Sequence, residues 1–460
     1  QTKKWTLQEC IDYAWQNSIT IKQNQLIVLS NQANLTQAKM GLYPNLNAST
    51  SYSYNQGRSQ NPFTGVFDES IFKSYPLSLS SSVTIFGGLQ QQNLIKQNRL
   101  IIEASQETVN QVRQNVALNV ALAYLNVLTN RELVDVSKQQ VATDSQQIIR
   151  TERLVAAGSL PVNNLYDLQS QLANDEFTLV TNQNNLAISK VNLMQAMNLP
   201  VTPDFEVQNV ELAEPDEKPY DKNAAQVYDI ALSSQPSIRS ANLQIESAKR
   251  GVAVARGSLL PSLTFGGRIG VSPTNANQTF TPDGTFATQQ QVTSSFVTID
   301  NQPYNLTAVT VQPNGTSSTI PYFKQYESTL NRGFNLTLNV PIFNNWQSRT
   351  RVSLAAIQQK TNELAAEQAR LDLRQTIEQA YNNMTAAGQQ YRSAKQAVRA
   401  QEQSFVATKA RFDAGLLNSV DFSLSQTNLG RAKANLVQAK YGYVFRTKIL
   451  DFYQNKPLTF

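Results

Sequence analysis

An internal repeat is the feature of this sequence that most restricts its fold. When the chain is shifted by 217 residues, identical residues align without a gap: Asp12 with Asp229, Ala14 with Ala231, Leu42 with Leu259, and Pro44 with Pro261. Farther along, the offset becomes 257, and the aligned pairs are Val83 with Val340, Phe86 with Phe343, Gly158 with Gly415, and Pro200 with Pro457. The 40-residue difference predicts one insertion in the second half. The sequence therefore predicts a duplication, with repeats at residues 1–200 and 223–460 and a linker at 201–222.

Each repeat is predicted to contain a helix, a β-hairpin, a long helix, a tight turn and a final helix. Residues 89–157 contain neither Gly nor Pro, and one helix of that length would extend for about 100 Å. Gly158 suits the end of this helix, and Pro161 suits the start of the next one. Gly415 occupies the matching position in the second repeat. The two long helices are therefore expected to end in similar turns.

The first helix and the linker have their own signals. The helix is expected over about 6–42, and Thr6 and Glu9 have the spacing of a capping box at its start. The linker holds seven acidic residues between positions 201 and 221. Its apolar residues are spaced as in a short extended segment, which predicts a linker packed against the helices.

The two predicted β-hairpins lie at 45–86 and 262–343. Apolar and polar residues alternate along their strands, as in residues 77–85, and this period of two gives each strand one apolar and one polar face. The second hairpin contains the insertion. Residues 272–325 are rich in Thr, Asn, Gln and Ser with little periodicity. They are expected to form a long extracellular loop.

The long helix of the first repeat carries two apolar stripes. One stripe includes Val109, Val112, Val116 and Val120, and Leu118, Leu122 and Leu125 lie nearly opposite it. A helix that is apolar on two sides has neighbours on both, which favours a wall of helices. A long two-stranded coiled coil, which needs only one stripe, is the alternative.

Composition excludes several classes of function. The chain has no His and one Cys, so His-based catalysis and His-ligated metal sites are excluded. No cofactor, no metal and no enzymatic activity are expected. The net charge is +6, but Lys and Arg are scattered along the chain, so no nucleic-acid partner is predicted. No stretch approaches the ~18 apolar residues of a membrane helix. The start at Gln1 leads us to expect that a signal peptide has been removed.

Four strands with an apolar face per chain are too few for a membrane barrel. Open strand edges in lipid are costly, and single-chain outer-membrane barrels begin at about eight strands. Several chains are therefore expected to share one barrel. Aromatic residues flank the strands at both ends. This placement is expected for two girdles at the interfaces with outer-membrane lipid. The proposed girdle residues are Tyr52, Tyr54, Tyr75, Phe86, Tyr326, Phe343 and Trp346. A soluble β-sandwich with attached helices is the alternative.

Two segments and the repeat resemble TolC-like outer-membrane efflux proteins. The segments are the opening stretch from Trp5 to Ala14 and the turn stretch from Arg411 to Phe422. The resemblance implies a membrane protein of mixed α and β structure. It also implies a homotrimer, whose chains share a twelve-stranded β-barrel in the outer membrane of a Gram-negative bacterium. A long α-helical barrel would continue into the periplasm, with the linker around its middle.

The resemblance also implies a function and partners. Members of the family are passive exit ducts of tripartite efflux pumps or type I secretion systems. An inner-membrane transporter supplies the energy, and a periplasmic adaptor docks at the helical tip. A periplasmic structural or spacer protein without channel activity is the alternative function. The exported substrate is not indicated.

The family pattern implies a pore constriction at Asp421, and Asp167 could add a second acidic ring. Asp421 could instead cap the following helix. The usual polar links that close the tip are missing, because Phe412 and Leu417 stand at the Tyr and Arg positions. Asn164 stands at the position of the first-copy acid, and Leu424 at a second acidic position.

The turns would form the tip that meets the adaptor. The expected tip residues are Gly158, Leu160, Pro161, Gly415, Leu416 and Leu417. The three leucines are expected either to contact the adaptor or only to pack on each other.

Overall fold

The structure is a computed structural model that describes residues 4–60, 67–209, 214, 220–300 and 302–456. None of the helices in these residues is long and apolar enough to cross a membrane. The chain forms two compact units. The first comprises Gln1–Thr36, Asn93–Ala253 and Arg351–Phe460, and the second comprises Gln37–Gln92 and Val254–Thr350.

Most of the described residues are helical. The helices are α1 (Leu7–Asn17), α2 (Ile19–Met40), α3 (Gln90–Ala156), α4 (Asn163–Ala196), α5 (Ala224–Ser234), α6 (Pro236–Gly257), α7 (Tyr322–Ser328), α8 (Gln347–Asp413) and α9 (Ser419–Tyr453). Both α3 and α8 contain 67 residues, which corresponds to about 100 Å each. The predicted long helix at 89–157 is confirmed.

The strands are short except for one pair. They are β1 (Lys4–Trp5), β2 (Asn45–Thr50), β3 (Ser53–Gln60), β4 (Phe67–Ser74), β5 (Leu77–Gly87), β6 (Glu206–Val207), β7 (Ser262–Val271), β8 (Gln278–Ile299), β9 (Gln302–Thr319) and β10 (Asn331–Asn339). Only β1 and β6 belong to the first unit, where they pair in parallel.

The main core of the first unit lies where α1, α3, α4 and α9 meet the start of the linker. Tyr124 of α3 is fully buried there, and its hydroxyl donates to the backbone carbonyl of Gln208 at 3.0 Å. Phe205 and Val207 are buried in the same cluster. Strand β6 thus packs on the helices, as expected for a linker that is not a free tether. Linker residues 210–213 and 215–219 lie outside the described residues.

The prediction of one continuous helix over about 6–42 is wrong. Its start is right, since Thr6 and Glu9 form the capping box. The chain leaves the helix at Ser18, whose ψ is 122°. The Ser18 hydroxyl accepts a hydrogen bond from the backbone N–H of Ile21 at 3.4 Å, so Ser18 caps α2 as it ends α1. The corresponding break at Gln235 precedes Pro236, which disfavours a helical residue before it.

A four-stranded antiparallel sheet forms the second unit, in the order β10–β7–β5–β2. Its register puts the apolar residues of all four strands on one face. These are Leu46, Ala48, Leu77, Leu79, Val83, Leu263, Phe265, Ile269, Phe334, Leu336 and Leu338. Asn, Ser, Thr and Gly dominate the other face. The predicted period-two pattern is confirmed, and the apolar face is largely exposed.

The segment 272–325 is not an irregular loop, which corrects the expectation from its composition. Strands β8 and β9 pair along most of this segment as one long antiparallel hairpin. Thr and Val, whose branched side chains favour extended backbone, are frequent in it. Gln and Thr occur on both faces, so the alternation is weak in the sequence. A second hairpin, β3–β4, extends the 45–86 segment; its residues 61–66 lie outside the described residues.

One buried amide anchors the base of the β8–β9 hairpin. The Gln325 side chain is fully buried and accepts a hydrogen bond from the Thr274 N–H at 2.8 Å. It also donates to the carbonyls of Thr274 and Ile320, at 2.9 and 2.7 Å. The base is closed by the Ile320 N–H, which donates to the Asn277 carbonyl at 3.0 Å.

Candidate functional site

The ends of α3 and α8 have the same backbone geometry. Gly158 and Gly415 follow these helices with φ of 70° and 71°. After α3, the N–H of Ser159 donates to the carbonyl of Leu154 at 2.8 Å; after α8, the N–H of Leu416 donates to the carbonyl of Arg411 at 2.9 Å. This is the Schellman arrangement, in which a left-handed glycine lets the chain satisfy the last carbonyls. The predicted helix-ending role of both glycines is confirmed.

The starts of the returning helices differ from each other. Pro161 lies in the turn before α4 and not within its first turn, which corrects the prediction from its spacing. Helix α4 has no side-chain cap at Val162. Helix α9 is capped by Asn418, whose side chain accepts the N–H of Asp421 at 2.8 Å. The alternative in which Asp421 caps this helix is therefore wrong, because Asn418 fills that position.

Near the turns, an apolar cluster joins α3, α4, α8 and α9. Its buried members are Ile148, Leu168, Phe412 and Phe422. Phe412 and Phe422 are stacked, with ring centroids 4.7 Å apart. Leu417 is half-buried against this cluster, whereas the Leu416 side chain is 71% exposed and Leu160 is half-buried. Of the three leucines, Leu417 thus packs within the chain and Leu416 offers the most accessible surface.

Polar contacts surround this cluster. The Ser419 hydroxyl at the start of α9 lies 2.8 Å from Asp167 Oδ2 and 3.1 Å from Asn164 Oδ1. Asp167 thus has a partner on α9, although its side chain is otherwise exposed. Arg150 of α3 pairs with the Asp413 carboxylate and donates to the Asp413 carbonyl at 3.1 Å. These contacts tie the α3–α4 hairpin to the α8–α9 hairpin.

Sequence reasoning assigned no contact to three residues of this region, Arg150, Asp413 and Phe422. Arg150 stands in no recognisable motif, and Asp413, although it lies in the family-like turn stretch, is 263 positions away from it. The available signal was that Asp413 comes two residues before the turn glycine. Phe422 could have been suspected, because Phe412 replaces a polar family residue and an apolar partner must then cover it. Asp421 is exposed in the first turn of α9, and no described residue donates a hydrogen bond to its carboxylate.

In the second unit, aromatic residues lie at both ends of the sheet. Tyr75 lies between Tyr52 and Tyr322, with ring centroids 5.0 Å from each. Tyr54 has Lys73 over its ring, and Tyr326 contacts Phe323. At the other end, Phe86 lies near the end of β5, Phe343 follows β10, and Trp346 packs under Arg349 at 4.3 Å. All seven proposed girdle residues are exposed.

The comparisons with known proteins are consistent with one another. The chain matches the model of the family described as "Outer membrane efflux protein" over residues 10–199 and 227–446. It belongs to this family. The chain is 24% identical over 418 residues to outer membrane protein TolC of Escherichia coli (strain K12), which covers 89% of this chain and 74% of TolC. The probable outer membrane lipoprotein SilC of Salmonella typhimurium is 24% identical over 253 residues, 54% of this chain and 51% of SilC.

A solved structure has the same fold. The crystal structure of the outer membrane protein VceC from Vibrio cholerae matches with a TM-score of 0.74 at 13% identity. The match covers 98% of this chain and 97% of that chain. The expected resemblance to TolC-like proteins is confirmed, and with it the assignment of this chain as an outer-membrane efflux channel of mixed helix and strand.

Proposed function

We propose that this chain is the passive exit duct of a tripartite efflux pump or type I secretion system. Substrates would pass from an inner-membrane transporter and a periplasmic adaptor through the duct to the outside, without chemistry in the duct itself. The observation that carries the proposal is the exposed apolar face of the four-stranded sheet, in a chain whose helices form long hairpins. A contiguous exposed apolar face indicates a partner or a lipid phase.

The edges of the sheet support a trimer. Among the described residues, β10 and β2 each pair with one strand only, so each sheet has two open edges. Open edges in lipid cost several kcal/mol per unpaired group. Antiparallel pairing of β10 of one chain with β2 of the next would close three sheets into a twelve-stranded barrel. Mass measurement in mild detergent should then give three times 51.1 kDa; a stable monomer in the absence of detergent would contradict the barrel.

The helical part would form the periplasmic barrel. The repeats would span 1–200 and 223–460, with the linker at 201–222 around the middle of the barrel. The matching turns at Gly158 and Gly415 support this duplication. The β8–β9 hairpin would lie outside the cell, because long loops of outer-membrane barrels do. The seven girdle aromatics would lie at the two lipid interfaces.

Channel activity is the direct test of the duct. The purified oligomer should give discrete conductance steps in planar bilayers. Cells that lack the gene should retain substrates of the partner pump, and the wild-type gene should restore export. If the oligomer gave no conductance and export did not depend on the gene, a structural spacer role would replace the duct.

Adaptor docking is proposed at the turns between the long helices. Leu416 is exposed beside Gly415 and makes the sharper test, because Leu417 also packs within the chain. A Leu416→Glu variant should lose export and adaptor cross-linking while it keeps its oligomeric state and conductance. The control is Val420→Glu, another exposed apolar position at the start of α9. Equal export by wild type and Leu416→Glu would exclude Leu416 from docking.

A further inference from the structure

Two acidic side chains meet inside the first unit, about one helical turn beyond the apolar cluster on the side away from the turns. Asp144 of α3 is 2% exposed. Asp175 of α4 lies within hydrogen-bonding reach of its carboxyl group. The Gln426 side chain of α9 donates to Asp144 Oδ1, and Gln171 donates to Asp175 Oδ2 at 2.9 Å. Three helices, α3, α4 and α9, thus converge on one pair of carboxyl groups.

The pair lacks a donor where one is needed. Asp144 Oδ2 is buried, and no described residue donates a hydrogen bond to it. Ionised carboxylates only accept hydrogen bonds, so two of them in contact repel each other unless one carries a proton. Burial, and then the neighbouring Asp175, raise the pKa of the Asp144 carboxyl to about 8. The unpaired Asp144 Oδ2 and the raised pKa of Asp144 therefore both indicate that the pair needs a proton.

The surroundings do not supply a compensating positive charge at Asp144. On α3, the buried side chains that continue the same face are the neutral Gln147 and Thr151. On α4, the charged group that faces Asp144 is Asp175 itself. On α9, Gln426 is neutral, and Arg431 lines a cavity together with Asp175. That cavity, of about 200 Å³, is bordered by α3, α4 and α9 and gives water a route to the Asp175 side of the pair.

We propose that Asp144 and Asp175 form a proton-binding site that holds one shared proton per chain at neutral pH. The proton bridges α3 to α4, and Gln426 completes the contact to α9. Asp144 comes 14 residues before Gly158, about 20 Å along α3 from the turn. The site therefore controls how firmly these three helices pack near the proposed entrance of the duct. It does not depend on the proposed partners or on the export of any substrate.

The sign of the pH dependence follows from linkage. The folded chain binds this proton at a pH where the unfolded chain has released it, because the pKa of Asp144 is raised on folding. The stabilisation is full below the ordinary carboxyl pKa, declines as pH rises above it, and is lost as pH passes the raised pKa near 8. Above that pH, the buried Asp144 carboxylate lies beside the like charge of the half-buried Asp175, and the packing weakens.

The test uses the full-length oligomer in detergent. Infrared difference spectra of wild type against Asp144→Asn should contain the carbonyl stretch of one protonated carboxyl per chain at pH 7, and this band should disappear between pH 7 and pH 9. The melting temperature of wild type should fall as pH rises from the ordinary carboxyl pKa towards 8 and level off above it. Asn keeps a donor without a charge, so Asp144→Asn should melt at a nearly constant temperature and above wild type at pH 9. Asp135→Asn, at an exposed position of the same helix, is the matched control and should follow wild type.

Two results would overturn the assignment. One is the absence of a protonated carboxyl band at pH 7, together with equal pH slopes of melting for Asp144→Asn and Asp135→Asn. The other is a rise in the melting temperature of wild type, but not of Asp144→Asn, when CaCl₂ or MgCl₂ is added at neutral pH without a protonated band. That second result would assign the pair to a divalent cation instead of a proton.

Discussion

The ring of Phe412 at the end of α8 lies against the ring of Phe422 in α9, with planes 22° apart. Phe422 is fully buried, and Ile148 of α3 and Leu168 of α4 complete the cluster. This cluster therefore adds apolar contact to the ion pair of Arg150 with Asp413 in joining the two helical hairpins. The aromatic stack itself contains no charge and does not respond to salt, whereas the ion pair of Arg150 with Asp413 beside it does.

The first prediction concerns this aromatic stack. Phe422→Ala should destabilise the packing of the hairpins by about 3–5 kcal/mol, because it leaves a cavity in a closed cluster. Faster amide hydrogen exchange in residues 405–426, measured by mass spectrometry, is the expected result. Phe422→Leu keeps most of the apolar volume and should exchange nearly as slowly as wild type. If the Ala and Leu variants exchanged alike, the stack would not be what holds the hairpins together.

The second prediction concerns the turn glycines. Gly158→Ala should cost about 1–2 kcal/mol, because an L-residue is strained at positive φ. No atom lies within 4 Å of the added Cβ, so the cost is purely conformational. Gly158→Asn should cost less, since Asn tolerates the left-handed region. Thermal unfolding provides the measurement. Gly333 also has open space around it but no positive φ, and Gly333→Ala should not show this strain.

Features that depend on local sequence were predicted correctly, whereas contacts between residues far apart in the chain were not. The long helices and their ends followed from the absence of Gly and Pro over 89–157 and from Gly158 and Gly415, which are local signals. The faces of β5 and β10 followed from strict alternation. The break at Ser18 was missed, because Ser is tolerated within helices and no Pro marks it. The contact of Arg150 with Asp413 joins positions 263 residues apart, and the place of Asp413 before the turn glycine does not indicate its partner.

Ambiguous local signals explain two further errors, one at the start of α9 and one in the β8–β9 hairpin. The Asp421 cap was a reasonable local hypothesis, but Asn418 stands three residues earlier and is an equally good capping residue. The β8–β9 hairpin was missed because Gln and Thr occupy both of its faces, so neither face is distinctly apolar.

The third prediction concerns the β8–β9 hairpin. Residues 278–319 can be replaced by two glycines, because the Asn277 carbonyl and the Ile320 N–H are already 3.0 Å apart at its base. The shortened chain should still form the same oligomer, measured by mass in detergent, since Thr274 and Gln325 remain. A loss of assembly in this variant would mean that the hairpin is part of the contact between subunits.

The fourth prediction concerns the anchor of that hairpin. Gln325→Leu leaves the Thr274 N–H and two carbonyls without their buried partner, at about 1–3 kcal/mol for each unsatisfied group. Hydrogen exchange of residues 271–277 should become faster. Gln290→Leu, at an exposed position in β8, is the control and should leave these residues unchanged. Slow exchange in Gln325→Leu would indicate that the strands alone hold the base.

The last prediction separates charge from helix capping at the start of α9. In a trimer, three Asp421 carboxylates around one axis would create a negative potential at the duct entrance and attract cations. Asp421→Asn should therefore reduce cation preference and block by multivalent cations in planar-bilayer recordings. Asn418→Ala removes the observed cap and should destabilise α9 by about 1 kcal/mol, with selectivity unchanged. Asp421→Asn should thus change selectivity and keep the cap of α9, whereas Asn418→Ala should destabilise α9 and keep the selectivity. If Asp421→Asn kept the selectivity and block of wild type, Asp421 would have only the role of an acidic residue in the first turn of a helix.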